Sequence, residues 1–320
     1  MSSQLFFIQC SSYLQYKDMK ALEIQNLVKS YGKTEVLKWI DLTIEEWDFF
    51  ALLGHNGAGK TTTINILSDL VRKTSGTVKV FGHDIDQDIS EAKKMIGLVP
   101  QEFNFNMWTK VKDIPVIQAG YYGVPAKVAR ERTEKLLKRL ELWEKRDSQA
   151  MQLSGWMKRR LMIVRALVHE PKFLILDEPT AGVDVELRNS MWEFIKELSD
   201  SGTTILLTTH YLEEVEALCN KVAIISKWKI VENTTTKELI KKLDREILVL
   251  STDFIWSTLP EELVKKYDAH IRKDKDLEVT IFKWKTINEA FTDLSKAWIH
   301  VTSLRNKSNR IEQLFIDLTK

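Results

Sequence analysis

One stretch of the chain, Gly54-His55-Asn56-Gly57-Ala58-Gly59-Lys60-Thr61 with Thr62 behind it, combines the residue types needed to hold a phosphate chain. Its glycines let backbone N–H groups approach phosphate oxygens closely, and a helix beginning at Lys60 would add the positive end of its dipole. Lys60 has the reach for terminal phosphates, and the Thr61 hydroxyl is a natural Mg²⁺ ligand. A second cluster, Asp177-Glu178, follows the apolar run Phe173-Leu174-Ile175-Leu176. Adjacent carboxylates are most often a solvated surface pair. Placed at the end of a buried strand they instead stand where α/β sheets bind ligands. Asp177 then suits a metal shell and Glu178 suits an attacking water, which is the chemistry of phosphoryl transfer.

The elements needed to position these groups are legible. Short strands are expected at Ala21–Leu27, Glu35–Ile44 and Phe49–Leu53, the last running into the glycine-rich loop. A helix follows over Lys60–Leu70, then a strand at Thr77–Phe81, a helix at Ser90–Ile96 and a strand at Gly97–Val99. Between Gln101 and Pro171 the strand signals stop, and Val128–Leu142 is amphipathic, with Leu136, Leu137 and Leu140 on one side. Strands resume at Phe173–Leu176, Thr204–Leu207 and Val222–Ile225, separated by helices Val185–Leu198 and Tyr211–Leu218. That is βαβ order with a largely parallel sheet. From residue 234 the pattern changes to a small α+β tail: a helix at Lys237–Leu243, strands at Ile247–Leu250 and Leu277–Phe282, and a closing helix at Asn309–Leu318. Nothing in this tail has catalytic or metal spacing, so packing or docking is expected of it.

Bulk properties narrow the function. The 320 residues carry 47 basic and 45 acidic side chains, net +2, so no global field recruits nucleic acid. Hydrophobic residues at 44% and charged ones at 29% are those of a folded chain. Two cysteines, Cys10 and Cys219, imply no disulfide framework and fit a reducing compartment. No apolar run reaches the roughly 18 residues that span a bilayer. Residues 1–19 contain Leu5-Phe6-Phe7-Ile8 without a basic leader or a cleavage site, so no secretory signal is expected, and Met19 is an equally good start.

With these motifs in hand, residues 20–233 resemble the ABC transporter ATPases. Leu153-Ser154-Gly155-Trp156-Met157-Lys158-Arg159-Arg160 looks like the family signature, 24 residues before Asp177. Ala181-Gly182-Val183-Asp184 is similar to the D-loop, and His210 takes the switch-histidine position. Gln101 matches the glutamine that touches Mg²⁺ and water, and Tyr31 the adenine-stacking aromatic. The resemblance implies a P-loop NTPase fold: a RecA-like mixed α/β sheet with an antiparallel β subdomain, a helical insertion at about 102–165, and the accessory region 234–320. It implies ATP and Mg²⁺ as ligands, held by Tyr31, the loop from Gly54 to Thr62, Ser154 and Gly155. Thr61, Gln101 and Asp177 are the implied metal ligands, and Glu178, His210 and Gln101 the implied catalytic set. It further implies a head-to-tail dimer with a second copy, and a separate transmembrane permease met through the Gln101–Leu153 region. The site of action would be the cytoplasmic face of the plasma membrane. Phrases such as Leu98-Val99-Pro100-Gln101 and Thr208-Thr209-His210-Tyr211-Leu212-Glu213-Glu214 look like the multidrug and daunorubicin-resistance exporters.

The sequence departs from that pattern at Trp156, where the family has a glycine whose N–H meets the γ-phosphate of the opposite subunit. Losing such a donor costs on the order of 3 kcal/mol, about a hundredfold in rate. The expected alternative is therefore a chain that binds nucleotide with impaired hydrolysis. Trp47 and Trp228 also occupy turn-like places where relatives commonly have glycine, which suggests one cause for all three, drift in the gene or errors in its sequence. A GTPase is disfavoured because no Asn-Lys-X-Asp motif occurs. A soluble ABC protein of translation or repair would carry two cassettes or a long coiled coil, and neither is visible.

Overall fold

A computed structural model describes residues 20–180, 185–242, 245–252, 259–282, 284–307 and 315. The expected D-loop Ala181–Asp184, residues 1–19 and all of the expected closing helix except Phe315 lie outside them. Two compact units divide at Thr234/Thr235.

The first unit opens with a long antiparallel hairpin, β1 (Lys20–Tyr31) and β2 (Thr34–Glu45), both longer than the apolar runs alone predict. Next come β3 (Phe49–Leu53), α1 (Lys60–Leu67), β4 (Ser75–Val80), β5 (His83–Asp84), α2 (Ile89–Met95) and β6 (Ile96–Val99). The helical stretch contains α3 (Asp113–Tyr121), α4 (Ala126–Arg139) and α5 (Gly155–Leu167), with single 3₁₀ turns at Trp143–Lys145 and Ala150–Gln152. Then follow β7 (Phe173–Asp177), α6 (Val185–Asp200), β8 (Thr204–Thr209), α7 (Leu212–Leu218), β9 (Lys221–Ser226) and β10 (Lys229–Thr235).

These strands form two sheets, an antiparallel one in the order β2-β1-β4-β5 and a six-stranded one in the order β10-β9-β3-β8-β7-β6. In the larger sheet β9, β3, β8, β7 and β6 pair in parallel. Every residue of β3, β7 and β8 is buried, which is why those strands read as continuous apolar runs rather than alternating ones. Leu22, Ile24, Leu37, Ile44 and Val78 of the smaller sheet share one core with Phe50, Leu52, Ile175 and Leu206 of the larger and with Ile64 and Leu67 of α1. The mixed α/β fold with an antiparallel subdomain is the one the sequence implied.

Several helix ends differ from expectation, most of all those of α1 and α4. α1 stops at Leu67 instead of Leu70, because the N–H groups of Leu70 and Val71 both turn back to the Asn65 carbonyl and close the helix. α4 runs over Ala126–Arg139 instead of Val128–Leu142: Pro125 sits at its N-cap, and Leu140 and Leu142 are buried beyond its end. α3 and α5 bracket it, and Ala119, Ala129 and Val168 form the small core of this helical region.

The second unit begins with α8 (Thr236–Lys241), shorter than expected, whose Thr235 cap and Glu238 form a reciprocal capping box. A four-stranded sheet follows from β11 (Arg245–Thr252), β12 (His270–Ile271), β13 (Leu277–Phe282) and β14 (Val301–Asn306), in the order β12-β13-β11-β14. Helices α9 (Glu261–Tyr267) and α10 (Ile287–Lys296) bury Leu263, Tyr267, Ala290 and Leu294 against Leu248, Leu250 and Val279. It is an independent α+β core.

Candidate functional site

The loop between β3 and α1 is shaped by its glycines. Gly57 and Gly59 have φ of 80° and 114°, a region closed to most L side chains. A Cβ on Gly54 would stand 2.6 Å from the Ile225 carbonyl, so the loop can pass the end of β9 only as glycine. Lys60 folds back over this loop, its Nζ donating to the carbonyls of Gly54 at 2.7 Å and His55 at 3.3 Å. It is 5% exposed. Burial pushes its ammonium below the usual lysine range, and Glu178 and Asp177 oppose that shift.

β7 delivers the two carboxylates from the neighbouring part of the sheet. Asp177 is the last residue of the strand. Glu178 then turns to φ 48°, a left-handed backbone just past the strand end. One Thr208 hydroxyl on β8 holds both residues: it donates to Asp177 Oδ1 at 2.5 Å and accepts from the Glu178 N–H at 3.2 Å. Burial raises the Asp177 carboxyl above the usual range, against the Thr208 and Thr61 hydrogen bonds and the nearby Lys60.

Three groups from distant parts of the chain converge on Glu178. Gln101 Nε2 donates to its Oε2 at 3.2 Å, and Lys60 Nζ and His210 Nδ1 stand 3.7 Å and 3.3 Å from its Oε1. Val36, Asn56, Gly57, Lys60, Thr61 and Gln101, among others, line a cleft of about 420 Å³ beside Glu178. A phosphate chain entering it would meet loop amides, the N-terminus of α1, Lys60 and the Thr61 hydroxyl. Oxygen donors from Thr61 and Asp177 are the type that suits Mg²⁺, and the Thr61 hydroxyl lies near enough to Asp177 to favour its charged form.

Other candidates lie elsewhere. Ser154 caps α5, its hydroxyl accepting from Met157 N–H at 3.2 Å, and neither it nor Gly155 lines the cleft. A Cβ on Gly155 would meet nothing within 4 Å, so this turn faces open space. Tyr31 is half exposed, under the Lys29 ammonium at 4.6 Å, and also off the cleft lining. Trp156, second residue of α5, has its indole N–H buried without a partner and Arg160 over its ring at 5.0 Å.

Two positioning residues escaped the sequence reading. Thr208 is one. Arg159 on α5 is the other: its guanidinium donates to the carbonyls of Pro100 and Gln101, both at 2.9 Å, and so fixes the loop carrying Gln101. A lone threonine or arginine gives no sequence signal.

Residues 37–181 match the family described as ABC transporter. The chain is 32% identical over 307 residues to a linearmycin resistance ATP-binding protein of Bacillus subtilis (strain 168), covering 93% of this chain and 98% of that one. It is 32% identical over 305 residues to a daunorubicin/doxorubicin resistance ATP-binding protein of Streptomyces peucetius, covering 94% and 92%. A Nod factor export ATP-binding protein I of Burkholderia orbicola (strain AU 1054) is 36% identical over 299 residues, covering 93% and 96%. Among solved structures, the ATP binding subunit of an ABC transporter superposes with a TM-score of 0.65 at 26% identity over 69% of this chain and 92% of that one. The cbiO1 protein of Clostridium perfringens, part of a cbiONQ transporter complex, gives 0.64 at 28% over 70% and 92%.

Proposed function

From the premise that this chain belongs to the ABC transporter family of ATP-binding proteins, we propose that it binds and hydrolyses ATP to drive export through a separate membrane permease. The convergence of Lys60, Gln101 and His210 on Glu178 carries this reading. ATP lies with its phosphates in the loop from Gly54 to Thr62, its adenine on Tyr31, and its γ-phosphate under the signature turn Ser154-Gly155 of a second copy arranged head to tail. The open space around Gly155 suits that approach. Thr61, Gln101 and Asp177 would hold Mg²⁺, which would supply charge neutralisation to the phosphates when bound.

Within the site each side chain has a distinct task. Lys60 leaves its carbonyl partners for the phosphates, exchanging neutral acceptors for charged ones. Glu178 orients and polarises the attacking water, and its burial strengthens that action. His210 holds Glu178 from one side and Gln101 from the other. Arg159 keeps Gln101 in register. Among the described residues no helix is long and apolar enough to cross a membrane, so the translocation path belongs to the permease. The ATPase then works at the cytoplasmic face.

A second reading rests on Trp156: an indole at the start of α5 lies where the facing copy's γ-phosphate would seek a backbone N–H, which favours binding with impaired turnover. Magnesium-dependent turnover and ATP binding, measured side by side for the protein and its Trp156→Gly and Glu178→Gln variants, separate the two. Turnover abolished in Glu178→Gln with binding intact supports the ATPase. Tight binding with turnover appearing only in Trp156→Gly supports the impaired form, and no binding in any of them ends both.

A further inference from the structure

Thirteen described residues other than glycine have positive φ, and four of them are tryptophans: Trp39, Trp47, Trp228 and Trp298. For a bulky aromatic this backbone is a genuine outlier. Each of the four sits at a turn whose geometry calls for glycine, and the four turns are of four different kinds.

Trp47 is the third residue of the turn Glu45–Asp48, closed by Asp48 N–H to the Glu45 carbonyl at 3.2 Å, with φ 68°. Positive φ at that place alone is the type II pattern, which takes glycine. Lys227 and Trp228, at φ 48° and 67°, make the two-residue connection between β9 and β10. Positive φ at both is the type I′ hairpin, with glycine preferred second. Trp298 follows the α10 C-cap, Ala297, at φ 58°. Its N–H meets the Ser295 carbonyl at 3.0 Å while Ile299 N–H reaches Leu294 at 2.9 Å, the Schellman closure whose left-handed residue is usually glycine. Trp39, at φ 54°, lies where Lys38 and Trp39 together span the position opposite Val28 in the β1/β2 ladder. A left-handed residue at such a bulge is again glycine's place.

The indoles at three of these positions do little: Trp39 is 64% exposed, Trp47 49% and Trp298 79%. The Trp228 indole alone of the four has partners among the described residues, donating to the Gly57 carbonyl at 3.1 Å under the Lys38 ammonium, whereas Trp143, between the cations of Lys138 and Arg146, and Trp192, donating to Glu214, make such contacts without positive φ. The chain holds 12 glycines in 320 residues, against about 7% in ordinary proteins, and ten tryptophans. Glycine is short where tryptophan is in excess.

We infer that positions 39, 47, 156, 228 and 298 are glycine in the protein its own cell makes, specified by one codon, UGA, which some genetic codes read as tryptophan and others as glycine. A single reassigned codon accounts for four unrelated turns and the signature at once, where independent substitutions would have to fall five times on glycine positions. Position 156 enters on the strength of the ATPase reading; the four turns do not depend on it. With glycine at 156 the start of α5 offers Gly155 and the residue after it as uncovered N–H donors, and the second copy's ATP meets no indole.

Two measurements test this. Peptide mapping by mass spectrometry of the protein from its source cells, read beside the gene, is expected to give glycine at the five positions and a shared codon distinct from that of Trp143 and Trp192. Tryptophan masses at 39, 47, 228 and 298 overturn it. Independently, the Trp39→Gly, Trp47→Gly, Trp228→Gly, Trp298→Gly chain is expected to melt on the order of 10 °C above the parent, because four strained backbones are relieved. An unchanged or lower Tm overturns it. Adding Trp156→Gly to that chain is expected to raise ATP turnover about a hundredfold. No rise, with glycine masses at the turns, sinks the ATPase role of position 156 and leaves the codon assignment standing.

Discussion

Lys60 and Glu178 face each other across 3.7 Å, both almost sealed from solvent. The pair holds a cation and an anion in a pocket whose burial works against the lysine's charge. On the proposed function, nucleotide entry would give Lys60 a stronger anionic partner and free the Glu178 oxygen toward water.

Glu178→Gln is therefore expected to bind ATP at least as tightly as the parent while turnover drops by 10²–10³, since the amide cannot polarise water but keeps the shape. Nucleotide titration alongside phosphate release checks it. A loss of binding equal to the loss of turnover would mean that Glu178 only organises the pocket.

Thr208→Val keeps the volume of the side chain and removes the one hydroxyl shared by Asp177 and the Glu178 N–H. The Glu178 N–H keeps the Thr208 carbonyl at 3.0 Å, but the buried Asp177 carboxylate loses its donor, and the expected cost is about 2 kcal/mol in denaturant unfolding, with a raised Mg²⁺ requirement for turnover. Unchanged Mg²⁺ dependence would confine Thr208 to a structural task.

Arg159→Met should preserve the apolar stem and release the Pro100 and Gln101 carbonyls. About 2 kcal/mol of stability is expected to go, and turnover to fall more than ATP affinity, because the loop holding Gln101 loses its anchor. Equal falls in both would contradict the assignment.

His169 sets a pH dependence. It stacks on Tyr122 at 3.7 Å, its Nε2 lies 2.9 Å from the Ile96 carbonyl, and its Nδ1 is buried without a partner. Burial, with Arg132 nearby, pushes its pKa below the usual value of about 6.5. The unfolded chain then takes the proton first, so this contribution to stability is complete above about pH 6.5 and declines as the pH falls below it. Melting curves from pH 7.5 to 5.5 are expected to fall less steeply for His169→Gln, which retains a donor for Ile96.

How much of this was legible depended on how local each signal is. The phosphate loop and the Asp177-Glu178 strand end are written in consecutive residues, and their places follow from the strand before each. The approach of Gln101 and His210 to Glu178 came only through resemblance, since no local pattern brings residues so far apart to one carboxylate. Thr208 was invisible because Asp177 and the Glu178 N–H lie some thirty residues away on another strand, and Arg159 because its partners are backbone carbonyls. Trp47 and Trp228 stood out against the family pattern. Trp39 and Trp298 did not, because the feature that marks them is a backbone dihedral.

The sheet order puts β3, and with it the phosphate loop, beside strands made much later. The Trp47 N–H bonds to a residue 157 positions on, and the Phe49 N–H to one 171 positions on. Contacts of that span close slowly and only after their partners exist. During synthesis the loop can meet Val36 and Leu37 of β2 at once, but its seat against Ile225 waits until β9 has left the ribosome, so the phosphate loop is among the last parts of the first unit to be completed. A ligand seated in the assembled loop would therefore stabilise chains made through residue 225 and not shorter ones, by mass action on the folded form alone.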